Sequence, residues 1–329
     1  MRNAIIASIG AYAPEQVITN QYFNEQLGED VDTWLRENVQ INERRWCTDN
    51  ESVADLCEKA ALIALQRANT SVEEIDLIVL STDTPEFLSP STSSIIQDRL
   101  GAKNAGTFDI NTACAGFVTA LDIASKYIRS DEQYNTVLVI GGYAMSKHLN
   151  KEDKKTVTLF ADGAGAVVLK SEKDSKRGFL TSKLITEGQY NEWMGIYGGG
   201  TRQPITPEAL ANHDHQLKFV KRFPKELNPK VWTEMANLMS ERIGESLDNV
   251  NHFFITQINI NSIFETMDLL GQPREKAHTI MHHYGYTGSA CIPMAMNDAF
   301  EKGKIKEGDL IFFIGSGGGL AFASAAFRM

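Results

Sequence analysis

The sequence has few cysteines, and their spacing argues against both a metal centre and a disulfide framework. The four cysteines of the 329-residue chain are Cys47, Cys57, Cys114 and Cys291. None of them forms the CxxC pair that is typical of zinc sites, and four scattered thiols do not resemble the dense cysteine pattern of small secreted domains. We expect reduced cysteines, no metal site and no other cofactor.

Long apolar runs and basic clusters are also lacking. No apolar stretch reaches the roughly 18 residues that a membrane-spanning helix requires, and the opening segment MRNAIIASIGAYAPEQ does not have the pattern of a secretory signal peptide. These observations predict a cytoplasmic protein without a membrane span. The net charge of −10 at pH 7 makes a nucleic-acid partner unfavourable.

The same net charge would repel an acidic carrier domain unless that domain met a local basic patch. Lys147, Lys151, Lys154 and Lys155 are close enough in sequence to form such a patch. They also fit an ordinary solvated surface loop, so the sequence leaves both interpretations open.

Helix-like and strand-like segments alternate along the chain. Apolar residues recur at helical spacing in VADLCEKAALIALQRA (residues 53–68), and the strand-like DLIVLSTD (residues 76–83) follows. The helix-like stretch after Cys114 is followed in the same way by TVLVIGGYA (residues 136–144). Because this order is typical of sheets that helices cover on both faces, it predicts an α/β fold.

The second part of the chain repeats this order. A helix is predicted at PKVWTEMANLMSERIGESL, and a short buried strand follows at NHFFITQINI. The repetition suggests an internal duplication, with one half at residues 1–172 and the other at residues 173–329. The second half begins with a polar, glycine-rich segment at about residues 173–215, which we interpret as a loop that lines a pocket or an interface.

Cys114 lies between a strand-like run and a helix-like run, in FDINTACAGFVTALDIASKYI. A cysteine flanked by alanine and glycine is often a small buried apolar residue. Phe117 and Leu121 nevertheless recur at helical spacing, which places a helix N-terminus within a residue or two of Cys114. Unpaired amides at a helix N-terminus favour a thiolate. From these residues alone, Cys114 is either a core residue or a reactive nucleophile.

A second unusual element is GSGGGLAF (residues 315–322), between two strand-like runs. It is either a plain tight turn or a source of backbone amide donors for an oxyanion hole. It lacks the Lys-Ser/Thr ending of a Walker A loop, and it does not precede a helix as a GxGxxG motif does. We therefore do not expect nucleotide binding by either motif.

Further motifs follow one another along nearly the whole chain, in the order IGAYAPEQVITN, DTWLRENVQINERR, FDINTACAGF, FADGAGAVVL, YGYTGSACIP and GGGLAFASA. In this order they resemble the β-ketoacyl-acyl-carrier-protein synthase III family of the thiolase-like superfamily. The resemblance implies a thiolase-like fold, in which two similar α/β halves form a five-layer αβαβα arrangement. It also implies a homodimer, with a heterodimer with a related ketosynthase as the alternative.

The resemblance assigns Cys114 as the nucleophile. In the family, the matching cysteine accepts an acyl group from a CoA or acyl-carrier-protein thioester, and the acyl-enzyme then reacts with a malonyl thioester that loses carbon dioxide. The backbone amides of Cys114 and Gly318 would form the oxyanion hole.

Two positions depart from the family's pattern. A strand that usually reads roughly His-Gln-Ala-Asn begins here with Thr256, and a Gly-Asn-Thr turn contains Tyr286 in place of the asparagine. The family's histidine and asparagine donate hydrogen bonds to the developing enolate, so their replacement predicts weak or no ordinary malonyl condensation. The hydroxyls of Thr256 and Tyr286 either replace part of this function or only fill space in the pocket.

Other histidines are poor replacements. His282 and His283 are adjacent, and on a strand at most one of two neighbours points into a pocket. His213 and His215 have a spacing that can hold a metal on a strand, but they lie in a polar segment where a solvated surface is the simpler interpretation.

Three positions are predicted to bind the thioester or its carrier. Trp34 matches an aromatic residue that family members place against the CoA adenine, and Lys154 keeps a basic position of the family. A customary arginine is replaced by Asn38, which lowers the expected affinity for CoA and gives a carrier-protein donor more weight.

The sequence thus predicts an acyltransferase of fatty acid or secondary metabolite biosynthesis. It would load an acyl group onto Cys114 and pass it to an acceptor, by condensation or by transfer to oxygen, nitrogen or sulfur. Two alternatives stay open: a half-active or non-catalytic partner subunit of a ketosynthase heterodimer, and a thioesterase in which water resolves the acyl-enzyme.

Overall fold

Strands and helices alternate through the computed structural model, which describes residues 2–329. The strands are β1 Arg2–Tyr12, β2 Val17–Thr19, β3 Glu43–Arg45, β4 Leu77–Ser81, β5 Gly106–Ile110, β6 Thr136–Ala144, β7 Asp162–Lys173, β8 Gly178–Thr186, β9 Met194–Gly195, β10 Lys218–Phe219, β11 Val250–Ile255, β12 Leu310–Gly317 and β13 Ala321–Arg328. The helices are α1 Asn20–Leu27, α2 Asp32–Asn38, α3 Val53–Arg67, α4 Thr92–Leu100, α5 Gly116–Ser130, α6 Lys154–Val157, α7 Pro207–Ala211, α8 Leu227–Ile243, α9 Ile260–Leu269, α10 Met281–Tyr284 and α11 Cys291–Glu301.

Two mixed sheets form the frame of the protein. The strand order is β1-β7-β6-β4-β5 in the first sheet and β11-β12-β13-β8 in the second. The β1/β7 and β7/β6 pairs are antiparallel and the β6/β4 pair is parallel. In the second sheet, the β8/β13 and β13/β12 pairs are antiparallel and the β12/β11 pair is parallel. Four neighbouring strands of each sheet thus repeat the same directions, which confirms the expected pair of similar halves.

Helices cover both faces of both sheets. Helices α3 and α4 pack on the outer face of the first sheet, α5 and α11 lie between the sheets, and α8 packs on the outer face of the second sheet with α9 beside it. Side chains alternate accordingly along the strands: Ile78 and Leu80 join the outer core with α3, while Leu77 and Val79 join the central core with α5. The predicted αβαβα arrangement is confirmed.

The segment at about residues 173–215 is not all loop, contrary to the sequence-based interpretation. Its residues Gly178–Thr186 form β8, which pairs with β13 along its whole length. The strand lies at the edge of its sheet and carries polar residues such as Ser182 and Lys183, so hydrogen bonds to β13 hold it rather than an apolar pattern of its own. The rest of the segment is mostly irregular. The boundary at residues 172 and 173 stays a prediction.

Three further properties concern residues 2–329. All four cysteines are free and buried. No group of three or more His, Cys, Asp or Glu side chains in this range is arranged to hold a metal ion. None of the helices in the same range combines the length and the apolar character needed to cross a bilayer.

We expect Gly10→Ala to destabilise the protein, because β1 and α3 approach closely there. A Cβ atom at Gly10 would lie 2.6 Å from the Ala60 carbonyl oxygen and 2.6 Å from the Ala64 amide nitrogen. Both are backbone atoms, so the helix would have to move, at a cost of about 1–3 kcal/mol. The shift of the urea-unfolding midpoint measures this cost.

Gly188→Ala is the matched control, because a Cβ atom there meets no heavy atom within 4 Å. Its unfolding free energy should change by no more than about 0.5 kcal/mol. Equal stability of the two variants would contradict the close packing of β1 on α3.

Candidate active site

A tight turn places Cys114 at the head of the central helix α5. Ala113 has a φ of 46°, and its amide donates to Asn111 Oδ1 at 3.0 Å. The amide of Ala115 donates to the Thr112 carbonyl oxygen at 3.1 Å. Helix α5 begins at Gly116, two residues after Cys114, so the predicted helix start is confirmed.

Glycines allow the neighbouring chain segments to approach this turn. A Cβ atom at Gly116 would lie 1.8 Å from the Ser81 hydroxyl oxygen, and one at Gly317 would lie 2.6 Å from the Cys114 amide nitrogen. The end of β12 therefore packs directly against the Cys114 backbone. Within residues 2–329, neither the Cys114 amide nor the Gly318 amide donates a main-chain hydrogen bond. The oxyanion hole at these two amides stays a prediction.

Cys114 borders two cavities although its side chain is only 2% exposed. The larger, which we name the Asp83 cavity, encloses about 280 Å³. Its polar lining residues are Asp83, Asn111, Tyr143, Asn191 and Tyr197.

The smaller, which we name the Tyr286 cavity, encloses about 50 Å³. Its lining is mainly apolar and includes Met194, Phe219, Phe223, Ile258, Tyr286 and Leu320. Met194 and Gly318 line both cavities. The sulfur is thus buried but lies beside space that an acyl group can occupy.

Burial raises the pKa of the Cys114 thiol well above its ordinary value. The negative charge of Asp83 raises this pKa further, while a hydrogen bond with the Tyr286 side chain lowers it. Desolvation of the charged form thus opposes the helix N-terminus, which by itself favours a thiolate. The thiol is protonated at neutral pH.

Tyr286 lies beside Cys114, as the sequence predicted. Its amide donates to the Leu159 carbonyl oxygen at 2.8 Å, and its carbonyl accepts from the Ala161 amide at 2.9 Å. Its ring centroid is 5.3 Å from that of Phe160. Burial raises the pKa of the phenol well above its ordinary value, so Tyr286 keeps its proton and can donate it in a hydrogen bond.

Thr256 lies behind the wall of the Tyr286 cavity, next to Ser316, which lines that cavity. It is fully buried, but it is not among the residues that line either cavity at Cys114. Its hydroxyl accepts from the Ser316 amide at 2.9 Å and donates to the Ser316 carbonyl oxygen at 3.4 Å. This pairing with the β12 backbone occupies the hydroxyl and keeps it from the pocket.

The four histidines considered in the sequence analysis also lie outside the site. His282 and His283 belong to the short helix α10, so the assumption of a strand at this position was wrong. Neither lines a cavity at Cys114, and His283 faces Glu43 at 3.6 Å. The rings of His213 and His215 have centroids 6.4 Å apart, and His213 pairs with a glutamine side chain.

A third cavity, of about 470 Å³, brings together two of the three predicted thioester-binding residues. Trp34 and Lys154 line it, and Lys154 forms an ion pair with Glu29 at 2.9 Å. Asn38 is not among the residues that line this cavity; its side-chain amide donates to the Trp34 carbonyl oxygen within α2, at 3.0 Å, and its role in thioester binding stays a prediction. Local hydrogen bonding inside the helix turns Asn38 away from the cavity.

Sequence reasoning missed several residues that line these cavities. Arg222 and Lys155 add positive charge to the third cavity; the basic segment KRFPK offered a signal for Arg222. Asp83 follows β4, and Cys114 follows β5, its parallel neighbour. Because parallel strands end at the same edge of a sheet, their order could have placed Asp83 near Cys114.

These features define the class of the protein: a thiolase-like α/β fold with a buried cysteine at the head of a central helix and a glycine-rich strand end against it. Family models agree with this class. The model of 3-oxoacyl-[acyl-carrier-protein (ACP)] synthase III matches residues 108–188, and the model of its C-terminal part matches residues 241–329.

Similar proteins cover nearly the whole chain. A β-ketoacyl-[acyl-carrier-protein] synthase III of Aliarcobacter butzleri is 37% identical over 99% of this chain and 97% of its own. One of Clostridium perfringens is 36% identical over all of both chains. The crystal structure of 3-oxoacyl-[acyl-carrier-protein] synthase III from Aquifex aeolicus has a TM-score of 0.89 at 32% identity, covering 99% of this chain and 100% of the other. The chain therefore belongs to the β-ketoacyl-acyl-carrier-protein synthase III family, and the likeness supports an acyltransferase or synthase enzyme.

We expect the reactivity of Cys114 to follow the groups that set its pKa. Asp83→Asn removes a negative charge and should speed alkylation by iodoacetamide at pH 7.5. Tyr286→Phe removes a hydrogen bond that favours the thiolate and should slow it, each change being severalfold. In the unmodified protein the rate should keep rising from pH 7 to pH 9, because the thiol pKa is raised.

Peptide mass spectrometry resolves Cys114 from the other three cysteines and measures these rates. Glu132→Gln, an exposed carboxylate change away from the cavities, serves as the control. A rate that levels off below pH 8, or identical rates in the two variants, would contradict the electrostatic account of the site.

Proposed function

We propose that this protein transfers an acyl group from a CoA or acyl-carrier-protein thioester to Cys114 and then to an acceptor. In the first step the sulfur of Cys114 attacks the thioester carbonyl and forms a new carbon–sulfur bond. The bond to the donor sulfur breaks, and the donor thiol leaves with the proton that Cys114 loses. The observation that carries the proposal is the position of Cys114, between two cavities and against the amides at the end of β12.

The backbone amides of Cys114 and Gly318 support this step. They lie next to the sulfur and do not donate to other main-chain groups in residues 2–329, so they can stabilise the oxyanion of the tetrahedral intermediate. The Tyr286 phenol is a third donor at the same place. Because Cys114 starts as a protonated thiol, we expect acylation to be slower than in an enzyme with a thiolate.

Weak malonyl condensation is the second part of the proposal. Condensation needs donors for the enolate that forms as carbon dioxide leaves, and the loss of one such donor costs roughly 100- to 1000-fold in rate. The Thr256 hydroxyl is bound to the Ser316 backbone, which leaves Tyr286 as the only side-chain donor at the two altered positions. The smaller cavity, which Tyr286 lines, encloses only about 50 Å³.

The proposal also covers the acyl donor, CoA or acyl carrier protein, and the oligomeric state. Lys154, Lys155 and Arg222 line the cavity of Trp34 together with Glu29 and Asp30. Because Lys154 is paired with Glu29, Lys155 and Arg222 are the cations that suit the phosphates of CoA or of a carrier-bound phosphopantetheine group. A homodimer is supported by two adjacent apolar side chains, since Phe87 is 56% exposed and Leu88 is 86% exposed in the single chain.

Acyl-enzyme formation is the direct test. The purified protein is incubated with a series of acyl-CoA and acyl-carrier-protein thioesters, and its intact mass is measured. We expect a mass gain equal to one acyl group, and no gain in Cys114→Ala. No gain with any donor would favour the partner-subunit alternative, whereas a gain that decays in plain buffer would favour a thioesterase.

The role of positions 256 and 286 in malonyl decarboxylation can be tested by substitution. Thr256→His together with Tyr286→Asn restores the residue types of the family and should raise malonyl decarboxylation by on the order of 100-fold. Release of labelled carbon dioxide from a malonyl thioester measures this rate, with Tyr286→Asn alone as the control. Circular dichroism shows whether the double variant is folded. If the folded double variant does not decarboxylate malonyl thioesters faster, the proposed loss of enolate donors is contradicted.

A further inference from the structure

Acylation of Cys114 requires a proton to move between two sulfurs in a site that has no imidazole. The Cys114 thiol has to lose its proton, and the sulfur of an alkyl thioester leaves more readily when its basicity is lowered by a proton. Within residues 2–329, no histidine, lysine or arginine lines either cavity at Cys114. A different side chain therefore has to carry the proton from one sulfur to the other.

The Tyr286 phenol is in contact with the nucleophilic sulfur. It donates a hydrogen bond to the Cys114 side chain, and both residues line the Tyr286 cavity. Tyr286 is only 1% exposed, so bulk water does not compete for this contact. A phenol has one donor hydrogen and also accepts hydrogen bonds. It can therefore accept from one sulfur while it donates to another.

The donor thioester reaches Cys114 from the side of Tyr286. Arg222 and Leu159 line the third cavity, where the donor phosphates are proposed to bind. Phe223, the residue after Arg222, lines the Tyr286 cavity, and the Leu159 carbonyl oxygen accepts from the Tyr286 amide at 2.8 Å. The two cavities thus share a wall. This arrangement puts the leaving sulfur beside the phenol and leaves the larger cavity for the acyl chain.

Tyr286 is better suited to this proton transfer than its polar neighbours. During acyl transfer both sulfurs are bonded to the same carbonyl carbon, so a group in contact with one sulfur is next to the other. The Ser316 hydroxyl also lines the Tyr286 cavity, but an alcohol is a much weaker acid than a phenol. Asp83 lines the larger cavity and not the smaller one, which places it beside the acyl chain.

We infer that Tyr286 is a catalytic residue that relays the proton of the Cys114 thiol to the sulfur of the departing donor. The thiol proton passes to the phenol oxygen at the same time as the phenol's own proton passes to the donor sulfur. That sulfur keeps the electron pair of the breaking carbon–sulfur bond, and the phenol ends with one proton as it began. The inference rests on the proposed acylation of Cys114 and gives Tyr286 a role beyond that of an oxyanion donor.

Leaving groups of different basicity test the relay. Formation of the acyl-enzyme is followed by intact mass for the CoA thioester and the S-phenyl thioester of the acyl group that loads Cys114 fastest. A phenyl thiolate is a weak base and leaves without a proton. We expect Tyr286→Phe to slow loading from the CoA thioester about 100-fold or more. Loading from the phenyl thioester should slow only severalfold, through the weaker nucleophile.

Tyr127→Phe is the matched control, because Tyr127 is 37% exposed, lies near the C-terminal end of α5 and lines neither cavity at Cys114. It should change neither rate. Equal slowing of both donors in Tyr286→Phe would overturn the inference, because a lost oxyanion donor or a less reactive thiol affects both donors alike.

A measurement on the unmodified protein decides the question even if Tyr286→Phe does not fold. Over a series of phenyl and alkyl thioesters of one acyl group, the loading rate should depend only weakly on the basicity of the leaving thiolate. A steep fall towards the alkyl thioesters would overturn the relay. The proposed function fails separately, when no thioester of any kind acylates Cys114, so the two failures are distinguishable.

Discussion

The packing of the Gly317 backbone against the Cys114 turn is the contact on which the candidate site depends. A side chain at Gly317 would meet the Thr112 carbonyl oxygen at 2.5 Å and the Cys114 amide nitrogen at 2.6 Å. This contact joins the end of β12 in the second sheet to the head of α5 between the sheets. It places Gly318 beside Cys114 in the lining of both cavities, and among residues 2–329 neither amide donates to a main-chain group. The two halves of the chain thus build the site together, because neither half holds both the cysteine and the glycine-rich strand end.

Desolvation is the second property that shapes the site. Burial raises the pKa of Cys114, of Asp83 and of Tyr286, so the thiol and the phenol are neutral while Asp83 carries the charge near neutral pH. A buried site strengthens each hydrogen bond and each charge interaction. The same property makes unpaired polar atoms costly.

Strongly patterned elements were predictable from the sequence, and so was part of the site. The strand at residues 136–144 and the helix start after Cys114 agree with the structure, because apolar periodicity reports burial directly. Strand β8 was missed because its stability comes from pairing with β13, which is distant in sequence. Tyr286 lies at Cys114 as predicted. Thr256 does not line the pocket, because the nearby β12 backbone binds its hydroxyl, and the sequence holds no sign of that contact.

The sequence by itself determined the alternating α/β pattern, the family and the position of Cys114 at the start of a helix, since each of these follows from residue types in a local order. The tertiary structure decided which polar groups meet: Thr256 with the β12 backbone, and Tyr286 with Cys114. It also decided the protonation of the thiol. The physical reason is that pKa values and hydrogen-bond partners depend on burial and on neighbours that are remote in the chain. Local residue order does not show which remote residues become neighbours in the fold.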